Sequence, residues 1–301
     1  MTPLPSLRQL RHLVALAEER HFGKAAALCH VTQSTLSASI KELEDRLQAA
    51  LVERNKRSVV LTPLGAETVA RAREILRETE ELARAAEAAG EPLGGILRMG
   101  VIPTIGPFLL PRVFAKLRRS HPRLRLYLRE DLTDRLVERL QAGELDLVLL
   151  ALPHEAGNLE TEALFADPFS FCCPADHPLA HSRHVTAAAL GQENLLLLED
   201  GHCLRQHALN ACGLRGASHV DPFQATSLHT IVQMVDNGLG VSLLPRLAIE
   251  TGITKGTSLR VIPLEGKAPA REIGLAWRRK SARREEFRLL GRELKRLAGH
   301  G

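Results

Sequence analysis

The stretch LRHLVALAEERHFGKAAALCHVTQSTLSASIKELEDRL, residues 10–47, decides the fold of the N-terminal part of the chain. Its first part continues a run of apolar residues at helical spacing, and Ser6 is the predicted N-cap of that helix. An alanine-rich run follows and can pack closely against a neighbour. Thr32 then caps a further helix, with Leu36 and Ile40 on its apolar face. The pattern predicts three helices, the last of which keeps a polar face free.

That polar face carries the residue types that a helix needs in order to read DNA. In a helix-turn-helix, the second helix is held by the first and presents side chains to base edges in the major groove. The following segment, LVERNKRSVVLT, has a basic cluster between two short apolar runs, which predicts a hairpin wing. Alone, such a cluster is more often a solvated surface, but beside this helix it favours DNA contact. The predicted DNA-binding residues are Thr32, Gln33, Ser34, Ser37, Lys41, Arg54, Lys56 and Arg57.

Residues 10–47, with LVERNKRSVVLTPLG at 51–65, resemble the winged helix-turn-helix of LysR-type transcriptional regulators. Members of that family usually have proline where this chain has Ser34. The resemblance implies that double-stranded promoter DNA and RNA polymerase are partners. It also implies a homo-oligomer, either a dimer or a tetramer made of two dimers.

A long helix is predicted after the wing, beginning at Pro63 behind the cap residue Thr62. Its apolar residues recur at spacings of three and four, and a single helix of this kind needs a second copy to cover them. The segment GEPLGG, 90–95, then breaks the helix. We therefore predict a winged helix-turn-helix domain at 1–62, a linker helix for dimerisation at 63–90 and a regulatory domain at 91–301.

Beyond residue 95 short apolar strands alternate with helical stretches, which predicts a mostly parallel sheet. The length suits two α/β subdomains, similar to periplasmic binding proteins, with a cleft between them. The predicted fold class is therefore an α+β multidomain protein, with a winged helix-turn-helix and a long linker helix before the two subdomains.

The composition favours an intracellular protein with an acidic partner. The formal net charge is +5, and the five cysteines are an odd number, which argues against a structural disulfide framework. The N-terminus has no signal-peptide pattern and no run is long enough to span a bilayer, so we expect a cytoplasmic protein without membrane contact. The histidines show no metal-binding spacing, and we expect neither a metal nor a cofactor.

A second constellation lies in LLLLEDGHCLRQHALNACGL, 195–214. Cys203 and Cys212 are nine positions apart (212 − 203), or about 13.5 Å along a helix, whereas a disulfide needs Cα atoms within about 7 Å. A disulfide between them would require the helix to refold. Cys203 follows a predicted strand and Gly201 and is expected to open a helix, where a thiolate nucleophile is favoured. A bare cysteine pair of this kind is more often simply buried.

EDGHCLR, the second cysteine, FQATSLHTIVQMVDNGLGVSLLP at 223–245 and PTIGPFLLP at 103–111 together resemble the peroxide-sensing LysR-type activators. The resemblance covers essentially the whole chain. It implies that hydrogen peroxide is substrate and signal, that a thiol reductant resets the switch, and that the chain is not an enzyme. It implies a peroxidatic Cys203, a resolving Cys212, peroxide-holding hydroxyls on Thr104 and Thr133, His202 beside the sulfur, and Arg271 as a basic residue near the thiol.

Each threonine, taken alone, can equally be a helix cap. The other three cysteines, Cys29, Cys172 and Cys173, are interpreted as buried structural residues. Two other hypotheses remain open. One is a LysR-type regulator that binds a small metabolite in the cleft, and the other is a thiol peroxidase with an accessory DNA-binding domain.

Overall fold

The computed structural model describes residues 4–55, 58–88, 93–153, 159–211, 220–266 and 269–299. The chain divides into two compact units, 1–87 and 88–301, and each has its own hydrophobic core. None of the helices within the described ranges is long and apolar enough to cross a membrane.

The first unit has the predicted order of three helices, a hairpin and a long helix. Its elements are α1 (Leu7–Glu19), α2 (Phe22–Leu28), α3 (Gln33–Leu47), β1 (Val52–Asn55), β2 (Ser58–Leu61) and α4 (Pro63–Ala88). Ser6 caps α1 through a reciprocal capping box with Gln9. The apolar faces of the helices meet in a core that includes Leu13, Leu36 and Ile40, all fully buried.

The start of α4 is fixed against the hairpin by a close approach that requires glycine. Gly65 lies so near the carbonyl oxygen of Leu51 that a Cβ atom would meet it at 2.0 Å. Thr62 is the cap, as predicted, because its hydroxyl accepts the Gly65 N–H at 2.9 Å and donates to the carbonyl of Ala50 at 2.9 Å. The remaining positions of the predicted linker, 89 and 90, lie outside the described residues.

The second unit is a mixed α/β structure. Its elements are β3 (Ile96–Val101), α5 (Gly106–Ser120), β4 (Arg125–Glu130), α6 (Thr133–Gln141), β5 (Leu147–Leu152), β6 (Leu159–Cys173), α7 (Ala187–Leu190), β7 (Leu195–Leu198), α8 (Cys203–Ala211), β8 (Val220–Ala225), α9 (Leu228–Asp236), β9 (Ser242–Pro245), α10 (Arg246–Glu250), β10 (Arg260–Pro263), β11 (Ala270–Arg278) and α11 (Arg284–Leu297).

The prediction of a mostly parallel sheet was wrong. Strand β3 pairs in parallel with β4 and β5, and β7 pairs in parallel with β8. Strand β11, however, runs antiparallel between β5 and β6, and β9 and β10 run antiparallel to β6. The pattern of apolar residues predicts which faces of a strand are buried, but it does not predict strand direction. The direction depends on the side of the sheet from which the chain enters each strand.

The long strand β6 joins the two α/β subdomains. Its first part pairs with β11 as far as Pro168, and its last part, from Phe169 onward, pairs with β9 and β10. One subdomain is built around β3, β4, β5 and β11, and the other around the end of β6 with β9 and β10. Pro168 therefore marks the point at which β6 changes partners, and Asp167 lies immediately before it.

Candidate redox site and DNA-binding face

A narrow cavity, which leaves no space for a water-sized molecule in this structure, brings together side chains from three separate segments of the second unit. Thr104 follows β3, Thr133 begins α6, and His202 and Cys203 lie at the start of α8. The remaining lining residues are Ile102, Pro103, Leu132 and Gly201. Four of the residues predicted for the sensing site thus share one cavity.

Cys203 is a partly buried free thiol and the first residue of α8. The turn before it depends on Gly201, which has φ +96, and a Cβ atom there would lie 3.3 Å from Leu132 Cδ1. Cys203 thus lies beside the unpaired backbone N–H groups at the N-terminus of α8. The nearby Arg205 side chain instead pairs with Asp200 at 3.2 Å.

The Thr133 hydroxyl is buried without a hydrogen-bond partner within the described part of the chain. Thr133 is 3% exposed. It does not cap α6, since the N-cap position is occupied by Leu132, which makes no side-chain cap hydrogen bond. An unpaired buried hydroxyl costs roughly 1–3 kcal/mol, so this oxygen keeps a donor and acceptors available to a guest in the cavity.

Arg271 positions Thr104 through two hydrogen bonds. The Arg271 guanidinium donates to Thr104 Oγ1 at 2.8 Å through Nη1 and to the Thr104 carbonyl at 2.8 Å through Nη2. It also pairs with Asp167 Oδ2 at 2.9 Å. Arg271 does not appear among the described residues that line the cavity, so it contacts the site through Thr104.

Asp167 is a residue that the sequence reasoning missed. It is 2% exposed and accepts hydrogen bonds on both carboxylate oxygens, from Arg271 and from the backbone N–H of Leu247. No local pattern marks it, because both partners are distant in sequence and reach it only through the packing of β6 with β11 and α10.

His202 directly precedes Cys203, and its surroundings favour the neutral ring. Burial lowers its pKa, and Glu199, 4.0 Å away, only partly opposes this effect. The ring therefore offers a neutral donor and acceptor to its surroundings.

The other cysteines differ from Cys203 in burial. Cys172 and Cys173 are fully buried, as predicted, and burial raises the pKa of their thiols to about 12 and about 11. Cys29 is only partly buried, which departs from the prediction because it ends α2 at the edge of the core. Cys212 lies outside the described residues, but α8 is continuous from Cys203 to Ala211.

The N-terminus of α3 presents a polar surface in the first unit. Thr32 is its N-cap and accepts the Thr35 N–H at 3.2 Å, while Gln33, Ser34 and Lys41 are exposed and Ser37 is partly buried. Thr35 is also exposed there, and its hydroxyl lies 2.7 Å from that of Thr32.

The predicted hairpin is formed by β1 and β2, with Asn55 paired to Ser58. Glu44 of α3 fixes its start by accepting the N–H groups of Leu51 and Val52, at 2.8 and 3.1 Å. Arg54 is in β1, whereas the placement of its side chain and of Lys56 and Arg57 lies outside the described residues. The described residues contain no group of three or more side chains that can hold a metal ion.

A helix-turn-helix with a hairpin wing, and a second unit in which a free thiol shares a cavity with buried hydroxyls, define a DNA-binding regulator with a separate sensing domain. The family model for the bacterial regulatory helix-turn-helix protein, lysR family, matches residues 7–66, and the LysR substrate binding domain matches residues 90–299. The chain belongs to the LysR family.

Two relatives that match almost the whole chain at similar identity have different names. It is 42% identical over 296 residues to the DNA-binding transcriptional dual regulator OxyR of Escherichia coli K12, covering 98% of this chain and 97% of that protein. It is 40% identical over 301 residues to the HTH-type transcriptional regulator EstR of Acinetobacter baylyi, covering 99% and 98%. The overall sequence identity alone therefore does not establish which signal this chain detects.

Two solved structures are also similar. A full-length OxyR variant from Pseudomonas aeruginosa matches with a TM-score of 0.77 and 37% identity, covering 97% of this chain and 95% of that chain. A cysteine-to-serine mutant of Corynebacterium glutamicum OxyR, bound to H2O2, matches with a TM-score of 0.67 and 34% identity, covering 99% and 94%.

Proposed function

We propose that this chain is a LysR-type transcription regulator that binds promoter DNA through its first unit and detects hydrogen peroxide at Cys203. One observation carries the proposal. The free thiol of Cys203 and the unpartnered buried hydroxyl of Thr133 line the same small cavity. Hydrogen-bonding hydroxyls beside a free thiol suit a small polar molecule such as H2O2, which must widen the pocket because it has no space for a water-sized molecule in this structure.

The first chemical step is attack of the Cys203 thiolate on one peroxide oxygen. An S–O bond forms and the O–O bond breaks, so the sulfur is oxidised by two electrons and becomes a sulfenic acid. The departing oxygen leaves as hydroxide, takes up a proton and becomes water. Hydroxyl donors on Thr104 and Thr133 stabilise the charge that develops on this oxygen.

The second step couples the oxidation of Cys203 to a conformational change of the segment that contains α8. The Cys212 thiol attacks the sulfenic sulfur, the S–S bond forms and water leaves. Helix α8 separates Cys203 from Ala211 by eight steps (211 − 203), about 12 Å at 1.5 Å per residue, and a disulfide tolerates about 7 Å between Cα atoms. The oxidised form therefore needs a different conformation of this segment, and a thiol reductant restores α8.

The DNA-binding half of the proposal rests on α3 and the wing. Gln33, Ser34 and Ser37 lie where a recognition helix contacts base edges, and Thr32 organises the helix start that carries them. Lys41, Arg54, Lys56 and Arg57 are the proposed phosphate contacts. Because its partner is promoter DNA, we propose that the chain acts in the bacterial cytoplasm. RNA polymerase is a further proposed partner.

We also propose that the chain is a homo-oligomer. Helix α4 leaves three large apolar side chains exposed, Leu64, Ile75 and Leu82 at 48%, 45% and 71%. A second α4 is the natural cover for such a stripe. The chain acts as a switch rather than a turnover enzyme, and steady-state peroxide consumption with a thiol reductant is expected to be slow compared with that of dedicated peroxidases.

The deciding experiment is mass spectrometry of thiols trapped before and after one equivalent of H2O2. We expect a Cys203–Cys212 disulfide, with Cys29, Cys172 and Cys173 still reduced. The Cys203→Ser chain is the matched negative control, and Cys29→Ser should behave as the wild type. If the wild-type chain forms no sulfenic acid or disulfide, the proposal is wrong and the chain answers to another ligand, as the similarity to EstR allows.

A further inference from the structure

Asp167 and Arg271 form a buried ion pair across two strands, directly behind the redox cavity. They are paired in register on β6 and β11. Their side chains are 1% and 0% exposed, and the Arg271 Nη2 atom lies 2.9 Å from Asp167 Oδ2. A guanidinium in such a position needs the carboxylate for charge balance and for orientation.

The contacts of Arg271 fix the direction in which the Thr104 hydroxyl can point its proton. A guanidinium is a donor only, so Thr104 Oγ1 must be the acceptor of the 2.8 Å hydrogen bond from Nη1. The structure gives Thr104 Oγ1 no other hydrogen-bond partner among the described residues. Its own proton therefore remains free to donate to a molecule in the cavity that Thr104 lines.

Asp167 holds this arrangement from two sides. Its Oδ2 atom accepts the Arg271 Nε–H at 3.0 Å, and its Oδ1 atom accepts the Leu247 N–H at 2.9 Å. Both oxygens are acceptors, which only a carboxylate can supply at this position. Asp167 thereby ties Arg271 to the first turn of α10, at the point where β6 changes partners.

We propose that Asp167 is a positioning residue for peroxide reduction, which acts through Arg271 to keep the Thr104 hydroxyl as a donor toward the oxygen that leaves Cys203. This inference rests on the proposed function. The thiolate attacks one peroxide oxygen, the O–O bond breaks, and the hydrogen bond from Thr104 stabilises the departing hydroxide until it takes up a proton and becomes water.

The test compares two reactions of the same thiol in the full-length chain. One is the second-order rate constant for oxidation of Cys203 by H2O2, and the other is alkylation of Cys203 by iodoacetamide as a function of pH. Alkylation needs the thiolate and access to it, but no donor to a leaving oxygen. Asp167→Asn is the informative variant, because an amide cannot accept from both Arg271 and Leu247. Glu272→Gln, an exposed neighbour on β11, is the matched control.

Loss of an oxyanion-hole donor costs roughly 100- to 1000-fold in rate, so we expect Asp167→Asn, which misplaces the donor without removing it, to slow oxidation about 10-fold or more with its alkylation profile unchanged. Combining it with Thr104→Val should add no further loss beyond Thr104→Val alone, because both changes remove the same donor. An unchanged oxidation rate, an equal fall in alkylation, or additive effects in the double variant would each overturn the inference.

A second variant covers the case in which Asp167→Asn does not fold. Arg271→Lys keeps the charge but replaces the planar guanidinium with a single ammonium nitrogen, which cannot reproduce the geometry of the hydrogen bonds to Thr104 and Asp167. In this variant too, oxidation of Cys203 by H2O2 should slow while alkylation by iodoacetamide stays unchanged. If both rates stay unchanged or fall together, the inference is wrong. Failure of the proposed function is distinguishable, because then the wild-type chain itself would not be oxidised at Cys203.

Discussion

The hydroxyl of Thr133 and the thiol of Cys203 line one cavity, although they begin different helices of the second unit. Thr133 is buried, and its hydroxyl has no hydrogen-bond partner in the described part of the chain. A protein usually pairs such a group, so its isolation is a stability cost that only a guest in the cavity would recover.

Replacing Thr133 by valine should separate stability from reactivity. The free energy of unfolding should stay the same or rise by up to about 1 kcal/mol, because an unpaired buried hydroxyl is removed without loss of shape. Oxidation of Cys203 by H2O2 should slow by roughly 10-fold or more. Denaturant titration and stopped-flow oxidation measure the two effects. Thr133→Ser should retain the rate, and a valine variant as fast as wild type would remove Thr133 from the mechanism.

The cysteines should differ sharply in alkylation at pH 8. Cys172 and Cys173 are fully buried, with thiol pKa values raised to about 12 and about 11, so almost no thiolate forms there. Cys203 is partly exposed at a helix N-terminus and should be labelled. Iodoacetamide labelling read by peptide mass spectrometry checks this, with urea-unfolded chain as the control in which all sites react. Labelling of Cys172 before Cys203 in the folded chain would contradict it.

The first unit should lose stability as the pH falls. Burial, followed by the charges of Arg8 and Arg11, lowers the pKa of His12, whose ring bonds to Ser39 Oγ at 2.8 Å. The unfolded chain takes up a proton near pH 6.5, while folded His12 stays neutral to lower pH. His12 therefore contributes stability that is present above about pH 6.5 and is lost as the pH falls through its folded pKa.

Urea unfolding between pH 5 and pH 8 measures this dependence. His12→Asn should flatten it, because the titrating group is gone. His30→Asn is the matched control in the same unit, since His30 is exposed and asparagine tolerates its φ of 55. An equal slope in the His12 variant and the wild type would show that His12 does not set it.

Replacing Lys56 and Arg57 by alanine should weaken DNA binding and reduce its salt dependence. Each phosphate contact contributes about 0.9 to the slope of log K against log salt, so two lost contacts lower it by about 1.8 per bound chain. Fluorescence anisotropy with duplex DNA at several salt concentrations measures the slope. Alanine at Arg279 and Lys280, an exposed basic pair of the second unit, should leave it unchanged. An unchanged slope in the wing variant would count against the wing as a phosphate contact.

Local patterns in the sequence were sufficient for the first unit. The periodicity around Leu36 and Ile40, the caps at Ser6 and Thr62 and the pairing of β1 with β2 all depend on residues close in sequence, and the structure has them as predicted. The N-terminal position of Cys203 on α8 is of the same kind, because Gly201 and the preceding strand mark it locally.

The direction of β11 and the role of Asp167 were not predictable in this way. Burial patterns are the same for a strand that runs up or down, so the mixed sheet was taken for a parallel one. Asp167 meets Arg271 and Leu247 only because β6, β11 and α10 pack together, and no spacing along the chain records that contact.

The sequence by itself determined the helix-turn-helix with its wing, the long helix after it and the cysteine-bearing helix start, since propensity, capping and glycine geometry act over a few residues. Only the tertiary structure decided that Thr104, Thr133, His202 and Cys203 share one cavity, that the Thr133 hydroxyl is unpaired, and that Arg271 acts from behind Thr104. The physical reason is that hydrogen bonding and burial are satisfied among neighbours in space, and the sheet brings those neighbours together from distant parts of the chain.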